Sequence, residues 1–237
     1  MAEFSHTGYE KKQFVQKMFN DISHKYDFLN HFLSLGLDIY WRKKLIQFLE
    51  IKENHLLLDV ATGTGDLIFE ILKKYPIKIV GLDYAYKMVQ IAKQKSESKG
   101  FSENTYFIQG DGENLPFKNN TFDNLTISFG FRNIGHYNKA LKEFCRVLKP
   151  EGQLIILEFS EPKSKIFNFF YQIYFNYILP NIGALFSRAD AYRYLPESVS
   201  YFPPREEIFK LMSENGLKNV SINDLTFGVC TIYIGYR

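Results

Sequence analysis

The stretch "LLLDVATGTGDL", residues 56–67, decides the fold. Its first five residues predict a buried strand, because a short apolar run is bounded by turn residues. A glycine–threonine–glycine turn follows, and behind it Leu67, Ile68, Ile71 and Leu72 recur at helical spacing. A strand, a glycine turn and a helix in this order are typical of a nucleotide-binding loop in an α/β protein.

The details of the turn exclude two kinds of nucleotide loop. A dinucleotide fingerprint has a third glycine three residues after the second, and Ile68 stands there. A phosphate-binding P-loop ends in glycine, lysine and serine or threonine, and "GTGDLI" contains no lysine. Asp66 would repel a phosphate, although it suits the positive end of a helix. The turn therefore favours a ligand that presents no phosphate to it.

Further strands follow at "KIVGLD", "TYFIQGD", "FDNLTISFG" and "QLIILEF", with helical patterns between them. This alternation predicts a parallel sheet with helices on both faces. The last two strands, "LKNVSIND" and "GVCTIYIGY", are joined too tightly for a parallel crossover, so we expect an antiparallel hairpin at the sheet edge. Helical spacing of apolar residues between Phe14 and Leu49 predicts an N-terminal helical region over residues 1–50. The rest of the same domain covers residues 51–237, with an aromatic insert at about 163–201.

Three acidic residues stand at the carboxyl ends of successive strands. Asp83 lies where an acid can accept both hydroxyls of a ribose. Asp111 and the Gly112 amide could recognise an adenine edge, and Asp59 could fix the loop and approach an ammonium group. Each could instead be a turn former or a helix cap. Together they favour a ribonucleoside that carries a cation instead of a phosphate, a description that S-adenosylmethionine fits.

Composition restricts the function further. A net charge of +3 is too small to indicate nucleic-acid binding. Cys145 and Cys230 fit no metal-ligand spacing, so we expect buried free thiols, no metal and a reducing cytoplasm. The polar N-terminus lacks a signal-peptide core, and the longest apolar run, residues 166–186, is too interrupted for a membrane span.

Several motifs extend beyond the nucleotide loop. "LDVATGTGD", "GLDYAYKM", "GDGENLPF" and "LKEFCRVLKPEG" together resemble the class I S-adenosylmethionine-dependent methyltransferases, which have a Rossmann-like fold. "SFGFRN", "FSEP", "YRYLPESVSYFP" and "TFGVCTIYIGYR" are similar to the UbiE/MenG family, which C-methylates quinone precursors.

The resemblance implies transfer of a methyl group from S-adenosylmethionine to a ring carbon of demethylmenaquinol, giving menaquinol. Alternative acceptors are a benzoquinol of the ubiquinone pathway and a soluble small molecule. A nicotinamide oxidoreductase and a noncatalytic cofactor-binding protein are rivals from other classes.

The resemblance implies that the helices of residues 1–50 act as a lid near the cofactor, and it also assigns residues. It implies that Arg132 and Asn133 are the active pair; because guanidinium stays protonated in proteins, Arg132 is expected to stabilise a phenolate while Asn133 holds a relay water. Alternatively, Arg132 forms a surface ion pair, and His136 is the base or a solvated side chain. The expected cofactor-binding residues are Tyr26, Asp59, Thr62, Gly63, Gly65, Asp83, Asp111, Gly112 and Ser128.

The implied partner is a prenylated naphthoquinol, which places a cytoplasmic enzyme at the inner face of the membrane. The aromatic insert is expected to line a groove for the prenyl tail or to contact the bilayer. A core helix or a homodimer contact is the alternative. The aromatic and aliphatic residues of the insert that would form this groove or contact are Phe167, Phe169, Phe170, Tyr171, Ile173, Tyr174 and Phe175. Arg188, Arg193 and Tyr194 are expected to close the pocket.

Overall fold

The computed structural model describes residues 7–174 and 189–237, which contain one seven-stranded sheet in the order β3-β2-β1-β4-β5-β7-β6. Strands β1 to β5 pair in parallel, and β7 is antiparallel to both β5 and β6. The predicted mostly parallel sheet with an antiparallel hairpin is confirmed. The strands are β1 Leu56–Val60, β2 Lys78–Asp83, β3 Thr105–Gln109, β4 Phe122–Ser128, β5 Leu148–Phe159, β6 Lys218–Leu225 and β7 Cys230–Tyr236.

Helices surround this sheet and cover one end of it. No helix within the described residues is long and apolar enough to cross a membrane. The helices are α1 Gly8–Ile22, α2 Tyr26–Leu33, α3 Leu37–Phe48, α4 Asp66–Leu72, α5 Tyr86–Lys99, α6 Tyr137–Val147, α7 Lys165–Ile173, α8 Ala189–Ser200 and α9 Arg205–Glu214.

Alternation along the strands builds two cores, because successive side chains point to opposite faces of a sheet. Leu57 of β1 packs with residues of α3, α4 and α5, whereas Leu58 packs with residues of α6 and α9. The second core includes Phe144 of α6, which is fully buried. Truncating such a side chain to alanine typically costs about 3–5 kcal/mol.

A third, smaller cluster joins α1 and α2 to α8. Val15 and Met18 of α1 pack with Leu29 and Leu33 of α2 and with Tyr194 of α8. This cluster brings the predicted lid into contact with the C-terminal part of the aromatic insert. The lid and the rest of the domain share these packed surfaces. The division between them at residue 50 therefore stays a prediction.

Two details differ from the predictions. The fifth strand was expected at "QLIILEF", residues 153–159, but β5 already begins at Leu148, which pairs with Phe122 of β4. The register then shifts, so that Gln153 pairs with Asn124 and the intervening residues form a bulge. Both cysteines are free, as expected, but Cys145 is only partly buried.

Candidate active site

The glycine turn and the loop after β4 form one wall at the carboxyl ends of the strands. Gly63 and Gly65 have φ values of 57° and 85°, a region that glycine enters without steric cost. Ala61 and Phe129 also have positive φ, at 52° and 58°. A Cβ atom on Gly130 would lie 2.4 Å from the Cβ of Ala61. The two loops therefore approach as closely as their backbones permit, and the local strain marks a candidate functional site.

Asp83, at the end of β2, holds the glycine turn from the side. Its Oδ2 accepts a hydrogen bond from the Gly63 amide at 2.7 Å, and its Oδ1 accepts one from the Ala85 amide at 2.8 Å. Burial raises the pKa of the carboxyl to about 6. A carboxylate has about four acceptor positions, so about two remain for hydroxyl groups of a ligand.

Asp111 is fixed by residues that sequence reasoning missed. Lys12 of α1 places its Nζ 2.8 Å from Asp111 Oδ2 and 2.8 Å from Glu113 Oε2. Glu113 is almost fully buried and accepts hydrogen bonds from the Gly135 and His136 amides. The signal available in the sequence was an acid two residues after Asp111 in "GDGENLPF". The His136 ring contacts the same Glu113 carboxylate, is 59% exposed and lines neither cavity described below.

Lys12, Asp83, Asp111 and Glu113 line a cavity of about 90 Å³, here called the cofactor cavity. Ser128 presents a buried hydroxyl that has no hydrogen-bond partner among the described residues. A buried polar atom normally has a partner, so this hydroxyl fits a polar ligand in the cavity. The predicted cofactor residues on the lining are Tyr26, Gly63, Asp83, Asp111, Gly112 and Ser128.

The remaining predicted cofactor residues lie behind this lining. Asp59 is 1% exposed and accepts a 2.7 Å hydrogen bond from Thr126 of the adjacent strand. The Thr62 amide donates to the Leu82 carbonyl, and a Cβ atom on Gly65 would press against the Phe69 ring. The structure therefore places these three where they shape the loop.

A second cavity, of about 310 Å³, adjoins the first and is here called the acceptor cavity. Phe19, Tyr26 and Phe129 line both cavities, so the two spaces meet at these rings. One wall is aromatic: the Phe129 ring lies 4.9 Å from that of Phe159 and 5.9 Å from that of Trp41. The cavity can therefore receive a flat apolar group next to the cofactor cavity.

The aromatic insert contributes to this cavity in part. Phe167, Tyr171 and Tyr174 line it, while Ile166 and Phe169 of α7 are exposed. Phe175, Arg188 and the side chains of Phe170 and Arg193 lie outside the described part of the chain, so their roles stay predictions.

Arg132 lies in the 3-10 turn Phe131–Asn133 and lines the acceptor cavity. Its Nη1 donates to Glu158 Oε1 at 2.7 Å and to the Phe129 carbonyl at 2.6 Å, and its Nε donates to Ser198 Oγ at 3.2 Å. Nη2 donates to no described residue. Arg132 is thus a buried ion-pair partner, not the surface one that the alternative expected.

The charge of Arg132 is secure although it is buried. Burial disfavours the charged form, but the Glu158 carboxylate raises the pKa of the guanidinium above its usual value. A fixed cation at an apolar cavity stabilises negative charge strongly, because little water screens it. Asn133 faces the other way: it lines the cofactor cavity, and its Oδ1 accepts a 3.0 Å hydrogen bond from the Tyr194 hydroxyl.

Solved structures share this architecture. An S-adenosylmethionine-dependent methyltransferase from Aquifex aeolicus superposes with a TM-score of 0.61 at 20% identity, covering 82% of this chain and 88% of its own. The [4+2]-cyclase SpnF superposes with a TM-score of 0.73 at 14% identity, covering 100% and 99% of the two chains. Identities this low show the fold alone. Fold and site together define the class of Rossmann-like S-adenosylmethionine-dependent methyltransferases.

Within this class the family is clear: the chain belongs to the ubiE/COQ5 methyltransferase family, whose model matches residues 7–237. It is 42% identical over 230 residues to the ubiquinone/menaquinone biosynthesis C-methyltransferase UbiE of Geotalea daltonii, covering 96% of this chain and 98% of that protein. It is 43% identical over 222 residues to the demethylmenaquinone methyltransferase of Thermus thermophilus, covering 93% and 100%. The predicted enzyme class and cofactor are confirmed.

Proposed function

We propose that this enzyme transfers the methyl group of S-adenosylmethionine to a ring carbon of demethylmenaquinol, giving menaquinol. The observation that carries the proposal is an apolar cavity, holding a buried Arg132, that meets the cofactor cavity at Tyr26 and Phe129. The relatives named demethylmenaquinone methyltransferase support the naphthoquinol as acceptor. Those named for ubiquinone and menaquinone biosynthesis support a benzoquinol as the second candidate.

The lining of the cofactor cavity suits the proposed methyl donor. Asp83 would hold the ribose hydroxyls, Asp111 and the Gly112 amide the adenine edge, and Ser128 a further polar group. Tyr26 contacts both cavities and would cover the donor. When bound, the cofactor supplies an electrophilic methyl group on a sulfonium centre.

The residues between the cavities would prepare the acceptor. A naphthalenediol ring becomes strongly nucleophilic at carbon when the neighbouring hydroxyl ionises. Arg132 would stabilise the resulting phenolate, and Asn133 would hold a water that receives the proton. The close approach of the two cavities supplies the rest of the catalysis through positioning.

The mouth of the acceptor cavity suits a membrane-bound acceptor. Leu35, in the α2–α3 turn, lines the cavity and is 80% exposed at a φ of 53°. Phe28 and Phe32 stack beside it with ring centroids 5.8 Å apart. We propose that this apolar rim contacts the inner face of the membrane and admits the prenyl tail. The other exposed apolar side chains of α2, α3 and α7 are Leu37, Ile39, Tyr40, Ile166, Phe169 and Ile173.

An assay with labelled S-adenosylmethionine tests the acceptor. Reduced short-chain demethylmenaquinol should be methylated faster than the matching benzoquinol, and the reverse order would refute the assignment. Arg132→Lys keeps a cation beside Glu158 but removes the planar fork of donors. We expect it to bind S-adenosylhomocysteine normally and to lose roughly 10²-fold in turnover.

A vesicle-binding assay tests the rim. Leu35→Asn removes an exposed apolar side chain and places there a residue that tolerates positive φ. We expect unchanged or higher fold stability but roughly tenfold weaker binding to anionic vesicles. Phe209→Asn, on α9, is the matched exposed control and should bind as the parent does. Loss of self-association in Leu35→Asn without loss of vesicle binding would identify the rim as a homodimer contact instead.

A further inference from the structure

Helix α8 places two polar side chains against the turn that carries the active pair. Tyr194 and Ser198 stand one helical turn apart, so they share a face of the helix. Ser198 accepts a hydrogen bond from Arg132 Nε at 3.2 Å, and the Tyr194 hydroxyl donates to Asn133 Oδ1 at 3.0 Å. Tyr194 is 2% exposed, and its ring packs 5.3 Å from that of Phe14 on α1.

The Tyr194–Asn133 hydrogen bond crosses the boundary between the two cavities. Tyr194 lines the acceptor cavity beside Arg132, and Asn133 lines the cofactor cavity. Two other polar side chains of the acceptor cavity have partners elsewhere. The Tyr174 hydroxyl donates to the Leu33 carbonyl, and Thr226 accepts from the Trp41 indole.

The chemistry of the proposed acceptor makes this position informative. The carbon that is methylated is the immediate neighbour of the carbon that bears the ionising hydroxyl. When the reacting carbon faces the cofactor cavity, the oxygen beside it must lie at the same boundary. Arg132, next to Asn133 in the chain, and Tyr194, hydrogen-bonded to Asn133, are polar side chains of the acceptor cavity at this boundary, together with Tyr26, which lines both cavities.

We propose that Tyr194 is a further catalytic residue, whose hydroxyl turns from Asn133 to donate a hydrogen bond to the phenolate oxygen of the acceptor. This rests on the proposed function only in requiring a hydroxylated aromatic acceptor. Arg132 supplies charge to the same oxygen, and Tyr194 supplies a directed donor, as in an oxyanion hole.

Tyr194 acts as a donor and not as the proton acceptor. Burial raises the pKa of its phenol to about 12, so the group stays protonated at neutral pH. In the overall transfer the sulfur–methyl bond breaks and a bond from the methyl to the ring carbon forms. The sulfur keeps the electron pair of the broken bond, the ring proton leaves to water, and the oxygen regains the proton that it lost on ionisation. One proton is released overall, and Tyr194 keeps its own proton throughout.

The test compares Tyr194→Phe with Tyr174→Phe, a matched tyrosine of the same cavity. The pKa of a bound naphthol is read from its absorbance in the presence of S-adenosylhomocysteine. We expect Tyr194→Phe to raise this pKa by about one unit and Tyr174→Phe to leave it unchanged. In turnover, Tyr194→Phe should lower kcat by roughly tenfold at pH 7, in line with the pKa shift, and less at alkaline pH, with an unchanged KM for the cofactor.

The outcomes separate this inference from the proposed function. A bound naphthol whose pKa does not differ between Tyr194→Phe and the parent would overturn the role of Tyr194. Methylation of a different phenol, with the pKa difference intact, would refute the naphthoquinol assignment and leave Tyr194 in place. Failure of any naphthol to bind would overturn both.

Discussion

Replacing one partner of the Arg132–Glu158 pair should destabilise the fold more than replacing both partners together. Glu158 is 0% exposed, and its carboxylate accepts from Arg132 Nη1, the Arg132 amide and the Phe159 amide at 2.7, 3.0 and 2.9 Å. Arg132→Met leaves a buried carboxylate, and Glu158→Gln leaves a buried guanidinium. An uncompensated buried charge costs about 3–5 kcal/mol. For a chain of this size, that corresponds to a fall in Tm of roughly 6–20 °C.

The double variant Arg132→Met/Glu158→Gln contains neither charge, so it should lose much less than the sum of the single variants. We expect a coupling free energy of at least about 2 kcal/mol, measured by urea unfolding followed by far-ultraviolet circular dichroism. The control is the exposed pair Lys210–Glu214, with side chains 72% and 56% exposed. Its coupling should not exceed about 0.5 kcal/mol. Single-variant losses at Arg132 and Glu158 that add to within about 0.5 kcal/mol would refute the reasoning.

Three other predictions concern the cofactor cavity. Affinity for S-adenosylhomocysteine should fall about tenfold between pH 7 and pH 5, because the Asp83 carboxyl, with its pKa of about 6, accepts ribose hydroxyls best when ionised; calorimetry should find this dependence absent in Asp83→Asn. Lys12→Gln removes the cation between two carboxylates and should raise the KM for S-adenosylmethionine severalfold, whereas Lys17→Gln, on the exposed face of α1, should not. Gly130→Ala should destabilise the fold by about 1–3 kcal/mol in urea unfolding, because its new methyl overlaps Ala61; a stability equal to the parent's would contradict the close approach of the two loops.

The strands and the positions of their terminal acids were predictable because each depends on local sequence. A buried run such as residues 56–60 needs only apolar side chains and a turn to be recognised. Parallel strands bring their carboxyl ends to one edge, so Asp83 and Asp111 could be placed near each other without knowing any contact. The hairpin could likewise be inferred, because its two strands are too close in the chain for a crossover.

The contacts that make the site chemical could not be predicted in the same way. Glu158 lies within an apolar strand. Its charge indicates that it has a partner, but the sequence does not identify that partner. Lys12 reaches Asp111 across 99 positions, and Tyr194 reaches Asn133 across 61. Such pairs depend on how the helices pack against the sheet. Local sequence patterns do not specify this packing.

The position of β7 affects how the chain can be synthesised. It comes last of the described strands in the chain, yet it lies between β5 and β6. Until residues 230–236 leave the ribosome, the edge of β5 that faces away from β4 has no partner strand. An unpaired apolar edge is a site for association with other chains. An incomplete chain that lacks β7 should therefore associate with other chains through β5, and pairing with β7 should end that tendency.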